Sequence, residues 1–147
     1  MSKRSKRLQL VLDLAERKKK QADQFLAASR QRVEQDKKTM GQLDQYLAEY
    51  HQNYLGVNAE GCTGAQLHAQ QAFMQKIQDA KDAQTNAMAQ NLKELEAVEQ
   101  HWKTSYARMK GMQKLTDKAL KAEMQAEEKA LQKQIDERAQ VMKNSFL

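Results

Sequence analysis

The residues of this chain that could support catalytic or metal chemistry are few and scattered. The three histidines are His51, His68 and His101, and the single cysteine is Cys62. A chain that folds back between residues 51 and 68 would bring His51 and His68 together, but no cysteine or carboxylate set completes a zinc site with them. Cys62 has no basic neighbour in sequence that would activate its thiol. We therefore expect no metal, no cofactor and no catalytic residue, and predict that the protein is not an enzyme.

The positive charge of the chain is concentrated at its N-terminus. Residues 1–20 carry eight lysines and arginines and two acidic residues, while the whole chain has a net charge of +6. Such a segment can bind nucleic acid, an anionic membrane surface or an acidic protein surface. Residues 1–24 contain no aromatic side chain that would stack on bases. We favour an acidic protein partner and expect no nucleic acid.

The composition predicts long helices as the elements that carry these residues. The chain of 147 residues has no proline and only five glycines, and it is rich in alanine, glutamate, lysine, leucine and arginine, as coiled coils are. No run approaches the roughly 20 apolar residues that a membrane span requires. A single cysteine fits a reducing compartment, so we expect a cytoplasmic protein with no membrane span.

Apolar residues follow a coiled-coil spacing of four and three residues from Leu8 to Tyr54. Of the fourteen positions in this series, eleven are apolar or tyrosine, and the exceptions are Lys19, Ser29 and Asp36. A series of this length indicates a coiled-coil helix.

The series stops in a segment that holds three of the five glycines, residues 55–64. We predict helix 1 at about 5–55, a loop at about 56–64 and helix 2 at about 65–146, all within one domain of residues 1–147. The expected fold is all-α, a two-helix antiparallel coiled-coil hairpin with a longer C-terminal helix.

The unequal helix lengths predict an overhang. Helix 1 would be roughly 75 Å long and helix 2 roughly 120 Å long, with paired residue numbers adding up to about 119. Residues after about 112 would then lack a partner within the chain. Thr63 and Gln66 have the spacing of a capping box that starts helix 2. Beyond Val98 the apolar residues also recur every eleven residues, which favours a nearly straight stripe over a left-handed supercoil.

Four segments resemble the FliJ family of flagellar type III export proteins. They are residues 8–16 (LQLVLDLAE), 46–50 (YLAEY), 70–77 (QQAFMQKI) and 98–103 (VEQHWK). The resemblance extends over the whole chain, because the order of these segments and the position of the loop also match.

The resemblance implies a stalk-like component of the flagellar protein export apparatus. Such a protein binds the hexameric export ATPase and links it to the membrane export gate and to export chaperones. It supports flagellum biogenesis, and through it motility and chemotaxis, from the inner face of the cell membrane at the flagellar base.

Two sets of docking residues are expected. Phe73, Ile77 and Ala80 match the family's apolar gate-docking stripe, which from the residues alone is equally well a helix-packing stripe; Gln84 continues it where the family can have histidine. The two chain ends together are expected to enter the ATPase ring. The residues expected there are Arg7, Leu8, Leu12, Leu115, Leu120, Met124, Leu131 and Ile135.

Two alternatives remain open at this point. One is the equivalent stalk of a virulence type III secretion system. The other is a nucleic-acid-associated coiled coil that uses the basic N-terminus.

Overall fold

The computed structural model describes residues 3–61 and 63–145, with side chains except those of residues 3 and 54–60. The chain forms two helices, α1 (Lys3–Glu60, 58 residues) and α2 (Gly64–Ser145, 82 residues). The described residues contain no strand. The predicted all-α fold of two packed helices with a longer second helix is therefore confirmed. The predictions for Cys62 and for the side chain of Tyr54 lie outside the described part of the chain.

The connection between the helices is shorter than the sequence predicts. Gly56 lies within α1, because a glycine inside a helix costs only about 1 kcal/mol relative to alanine and does not end it. The chain leaves α1 at Gly61, whose φ of 82° lies in the left-handed region that glycine adopts readily. The capping box is confirmed: the Gln66 amide donates to Thr63 Oγ1 at 3.2 Å, and the Thr63 amide donates to Gln66 Oε1 at 3.4 Å.

Both helices run through two compact units, residues 1–22 with 102–147 and residues 23–101. In the second unit the helices are antiparallel. The Arg32 guanidinium lies 3.3 Å from the Glu94 carboxylate, and Tyr50 stacks on Phe73 with ring centroids 4.4 Å apart. The numbers of these pairs add up to 126 and 123, not to the predicted 119, because the turn lies later in the chain.

The first unit has a small apolar core. Leu12, Ala15 and Met109 are buried together, with Met112 packed against them. Burial of a side chain such as Leu12 contributes roughly 1.5–3 kcal/mol. The prediction that residues after about 112 lack a partner is wrong. Because the pairing is shifted, α2 stays packed further along, and Thr116 and Ala119 are buried.

The coiled-coil series of α1 is confirmed by burial. Every described side chain of the series, from Leu8 to Tyr50, is buried or half-buried. The three polar exceptions are included: Ser29 and Asp36 are buried and Lys19 is half-buried.

The seam of α2 is the row of its side chains that faces α1. It contains more polar residues than the spacing of apolar residues in the sequence predicts. It runs in steps of three and four residues from Leu67 to Glu123, and all seventeen positions are buried or half-buried. Seven of these residues are polar: Gln70, Lys81, Gln84, Asn91, Ser105, Thr116 and Glu123. Leu92 and Tyr106 are exposed, although their apolar spacing suggests a place in the seam.

Candidate partner-binding surfaces

The C-terminal part of α2 has a row of exposed apolar side chains. All side chains from residue 124 to 145 are exposed. Among them, Met124, Leu131, Ile135 and Met142 are 51 to 62% exposed and follow one another at spacings of seven, four and seven residues, which places them on one side of the helix. We call these four residues the C-terminal stripe.

The C-terminal stripe does not continue the seam. A seam extended past Glu123 in the same steps would pass through Ala126, Ala130, Lys133 and Glu137, which offer little apolar surface. The antiparallel counterpart of Lys3, the first described residue of α1, lies near residue 121. The C-terminal stripe therefore begins where the described residues of α1 can no longer cover α2.

The residues expected in the ATPase ring fall into two groups. Leu12 is buried in the core, and Leu8 and Leu120 are half-buried, so these three hold the helices together. The exposed group is Arg7, Leu115, Met124, Leu131 and Ile135.

A shallow groove of about 150 Å³ lies between the helices near the N-terminus. It is lined by Val11, Leu14, Ala15, Lys18, Arg108 and Met112. Leu10, Val11 and Leu14 are large and apolar but are 70, 49 and 52% exposed, because the seam of α1 lies on other residues. The sequence analysis did not predict this surface, because it followed only the coiled-coil series, to which Leu10, Val11 and Leu14 do not belong.

The residues expected at the export gate are held differently from one another. Phe73 is 44% exposed and stacked on Tyr50, and Ala80 is exposed. Ile77 is buried in the seam, and Gln84 donates from Nε2 to Asp36 Oδ1 at 3.1 Å. We call Phe73 and Ala80 the tip surface, with Ile77 beneath it.

The chemistry-bearing residues of the described chain do not assemble into a site. His51 lines a shallow groove with Leu47 and Met74, whereas His68 does not line it. No group of three or more histidine, cysteine or acidic residues that could hold a metal occurs among residues 3–61 and 63–145. No helix in that part of the chain is both long enough and apolar enough to cross a membrane.

These features define a class of protein: a two-helix coiled coil whose distinctive surfaces are apolar and exposed. The model of one family, the flagellar FliJ protein, matches residues 4–144. The chain belongs to this family, and the predicted family resemblance is confirmed. It is therefore a component of the flagellar export apparatus. No curated protein and no solved structure matches the chain.

Proposed function

We propose that this protein is a stalk that inserts the C-terminal stripe, together with the start of α1, into the ring of the hexameric export ATPase. One observation carries this proposal: α2 continues for more than twenty residues past its last half-buried seam residue, Glu123, with an apolar stripe on one side. An isolated helix in water is stabilised mainly by packing of its apolar face. We therefore expect a partner protein that surrounds or contacts this single helix and buries the stripe.

The proposal also assigns the basic residues of α1 to this end of the protein. Arg7 and Arg17 are exposed, and their charges would favour an acidic lining in the ring. Leu115, exposed on α2 in the same unit, adds apolar surface.

The test is stimulation of the purified export ATPase by the full chain and by a Leu131→Gln, Ile135→Gln variant. We expect the variant to lose most of the stimulation while the helix content, measured by circular dichroism, is unchanged, because both side chains are exposed. The matched control is Ala126→Gln, Ala130→Gln, which places the same residue type outside the stripe. Equal stimulation by the variant, the control and the unaltered chain would contradict the proposal.

The tip surface is proposed to contact the membrane export gate. Phe73 presents an exposed ring braced by Tyr50, and such braced aromatic groups make good binding anchors. Phe73→Ala should weaken capture of the gate protein in a purified binding assay. Exposed Gln75 is the matched control, since Gln75→Ala lies outside the tip surface.

We further propose that the protein contacts export chaperones and supports flagellum assembly, motility and chemotaxis. We place the protein in the cytoplasm, peripherally associated with the inner face of the cell membrane. A deletion strain complemented with Phe73→Ala should then swim poorly in soft agar, whereas Gln75→Ala should restore swimming.

A further inference from the structure

The C-terminal stripe belongs to a coiled-coil series on one side of α2. Steps of four and three residues from Met124 to Met142 pass through the four stripe residues and two charged residues, Glu128 and Arg138. We call these six positions the stripe ladder, and all six side chains are exposed. With 3.6 residues per turn, the stripe ladder lies on the opposite side of α2 from Lys133, which is on the extended seam line. A second helix can therefore pack on the ladder without meeting α1.

The two charged residues of the stripe ladder have no ionic partner on their own helix. Neither Glu128 nor Arg138 has an opposite charge three or four positions away, the spacing at which helix side chains pair. Neither forms an ion pair with another described residue of the chain. A partner helix that buries the stripe must therefore present a cation to Glu128 and an anion to Arg138, because an unpaired charge is costly to bury.

A second copy of this chain meets this requirement when the two helices run antiparallel. Pairing Leu131 of one copy with Ile135 of the other puts Glu128 opposite Arg138. The same register places the first methionine of one stripe opposite the last methionine of the other. By two-fold symmetry each contact occurs twice, so the pair has four apolar layers and two layers of opposite charge. A parallel pair would instead place Glu128 against Glu128 and Arg138 against Arg138, which repel each other.

We propose that the free protein forms an antiparallel dimer through the stripe ladder, and that this dimer withholds the C-terminal stripe from the ATPase ring. The second part rests on the function proposed above, because ring insertion and dimerisation cover the same four apolar side chains. The ladder extends over only about 30 Å of helix, so its contact area is small and the dimer is reversible. Binding to the ring then draws the equilibrium towards the monomer by mass action.

The dimer is tested by sedimentation velocity of the full chain alone at increasing concentration. We expect a reversible equilibrium of monomer and dimer. Arg138→Glu should raise the dissociation constant by about tenfold or more, because two layers of opposite charge become layers of like charge. The exchange variant Glu128→Arg, Arg138→Glu restores opposite charges in both layers and should dimerise like the unaltered chain.

The matched control is Lys133→Glu, which makes the same change of charge on the side of α2 away from the stripe ladder. It should dimerise like the unaltered chain, and circular dichroism checks that every variant keeps its helix content. A chain that stays monomeric at the highest concentration reached would overturn the proposal. A dimer that is equally strong in Arg138→Glu would overturn the stripe ladder as its interface.

The withholding is tested with a disulfide-locked dimer, the variant Cys62→Ser, Met124→Cys, Met142→Cys. Residues 124 and 142 of one chain are about 27 Å apart along the helix, too far for a disulfide, so oxidation can join only two chains. We expect the reduced protein, which keeps Leu131 and Ile135, to stimulate the export ATPase and the oxidised dimer not to stimulate it.

Equal stimulation by the reduced and oxidised forms would overturn the withholding. If the unaltered chain did not stimulate the ATPase at all, the proposed function would fail and the withholding with it. The dimer would then still stand on the sedimentation result, because that measurement does not involve the ATPase.

Discussion

Asp36 should be the polar residue that contributes most to stability in the seam of its unit. Its side chain is buried, with an exposure of 9%. Both carboxylate oxygens accept hydrogen bonds from α2: Oδ1 from Gln84 Nε2 at 3.1 Å and Oδ2 from Asn91 Nδ2 at 2.7 Å. Asp36→Ala removes both bonds and leaves two half-buried amides without this acceptor.

The expected loss follows from these two bonds. A hydrogen bond to a charged group contributes about 1.5–3 kcal/mol when its partner cannot be replaced. Water can reach the half-buried amides of Gln84 and Asn91 in part, and removal of the carboxylate also removes its own desolvation cost. We therefore expect Asp36→Ala to lower the free energy of unfolding by about 2–3 kcal/mol.

The measurement is urea unfolding followed by circular dichroism at the helix band. Asp44→Ala is the matched control, because Asp44 forms an ion pair with Lys81 at 2.7 Å but is half exposed, and such pairs contribute below about 1 kcal/mol. A double-mutant cycle with Asn91→Ala should show a coupling of roughly 0.5–3 kcal/mol. If Asp36→Ala lowered the free energy of unfolding no more than Asp44→Ala does, the two buried hydrogen bonds to Asp36 would not contribute the stability expected of them.

Three further substitutions test packing. Gly111→Ala should stabilise the protein by about 0.5–1 kcal/mol in urea unfolding, because a Cβ there meets no atom within 4 Å and alanine favours the helix. A lower free energy of unfolding would contradict the absence of a clash at this position. Ala22→Leu should destabilise it by about 1–3 kcal/mol, since Ala22 is fully buried, and a neutral result would show unoccupied space at the seam. Phe73→Ala should cost at least about 0.5–1.5 kcal/mol through loss of the Tyr50 stack, and its thermal unfolding midpoint should fall slightly.

The sequence predicts α1 better than α2 for a physical reason. In α1, ten of the thirteen described seam positions from Leu8 to Tyr50 are apolar or tyrosine, so hydrophobic spacing alone identifies the buried side. In α2, seam positions such as Gln84, Asn91 and Thr116 are polar, and exposed positions such as Leu92 and Phe73 are apolar. The spacing of apolar residues cannot distinguish the seam positions from the exposed positions of α2, because burial of a polar residue such as Gln84 depends on its hydrogen-bond partner Asp36 on α1.

The position of the turn illustrates a second limit. Gly56 and Gly61 look equivalent in sequence, yet only Gly61 adopts a positive φ, because the capping box at Thr63 sets where α2 begins. A shift of a few residues at the turn changes every pairing along α1. The predicted start of the unpaired part of α2 was therefore too early by about ten residues.

The distribution of apolar residues in α2 links the fold to the proposed binding. Up to Glu123 most of the large apolar side chains of α2 lie in the seam, whereas beyond it Met124, Leu131, Ile135 and Met142 lie off the seam line. A sequence selected only for a stable pair of helices would place its leucines and methionines in the seam. The polar seam and the exposed stripe together support the proposal that α2 also binds partners outside the pair.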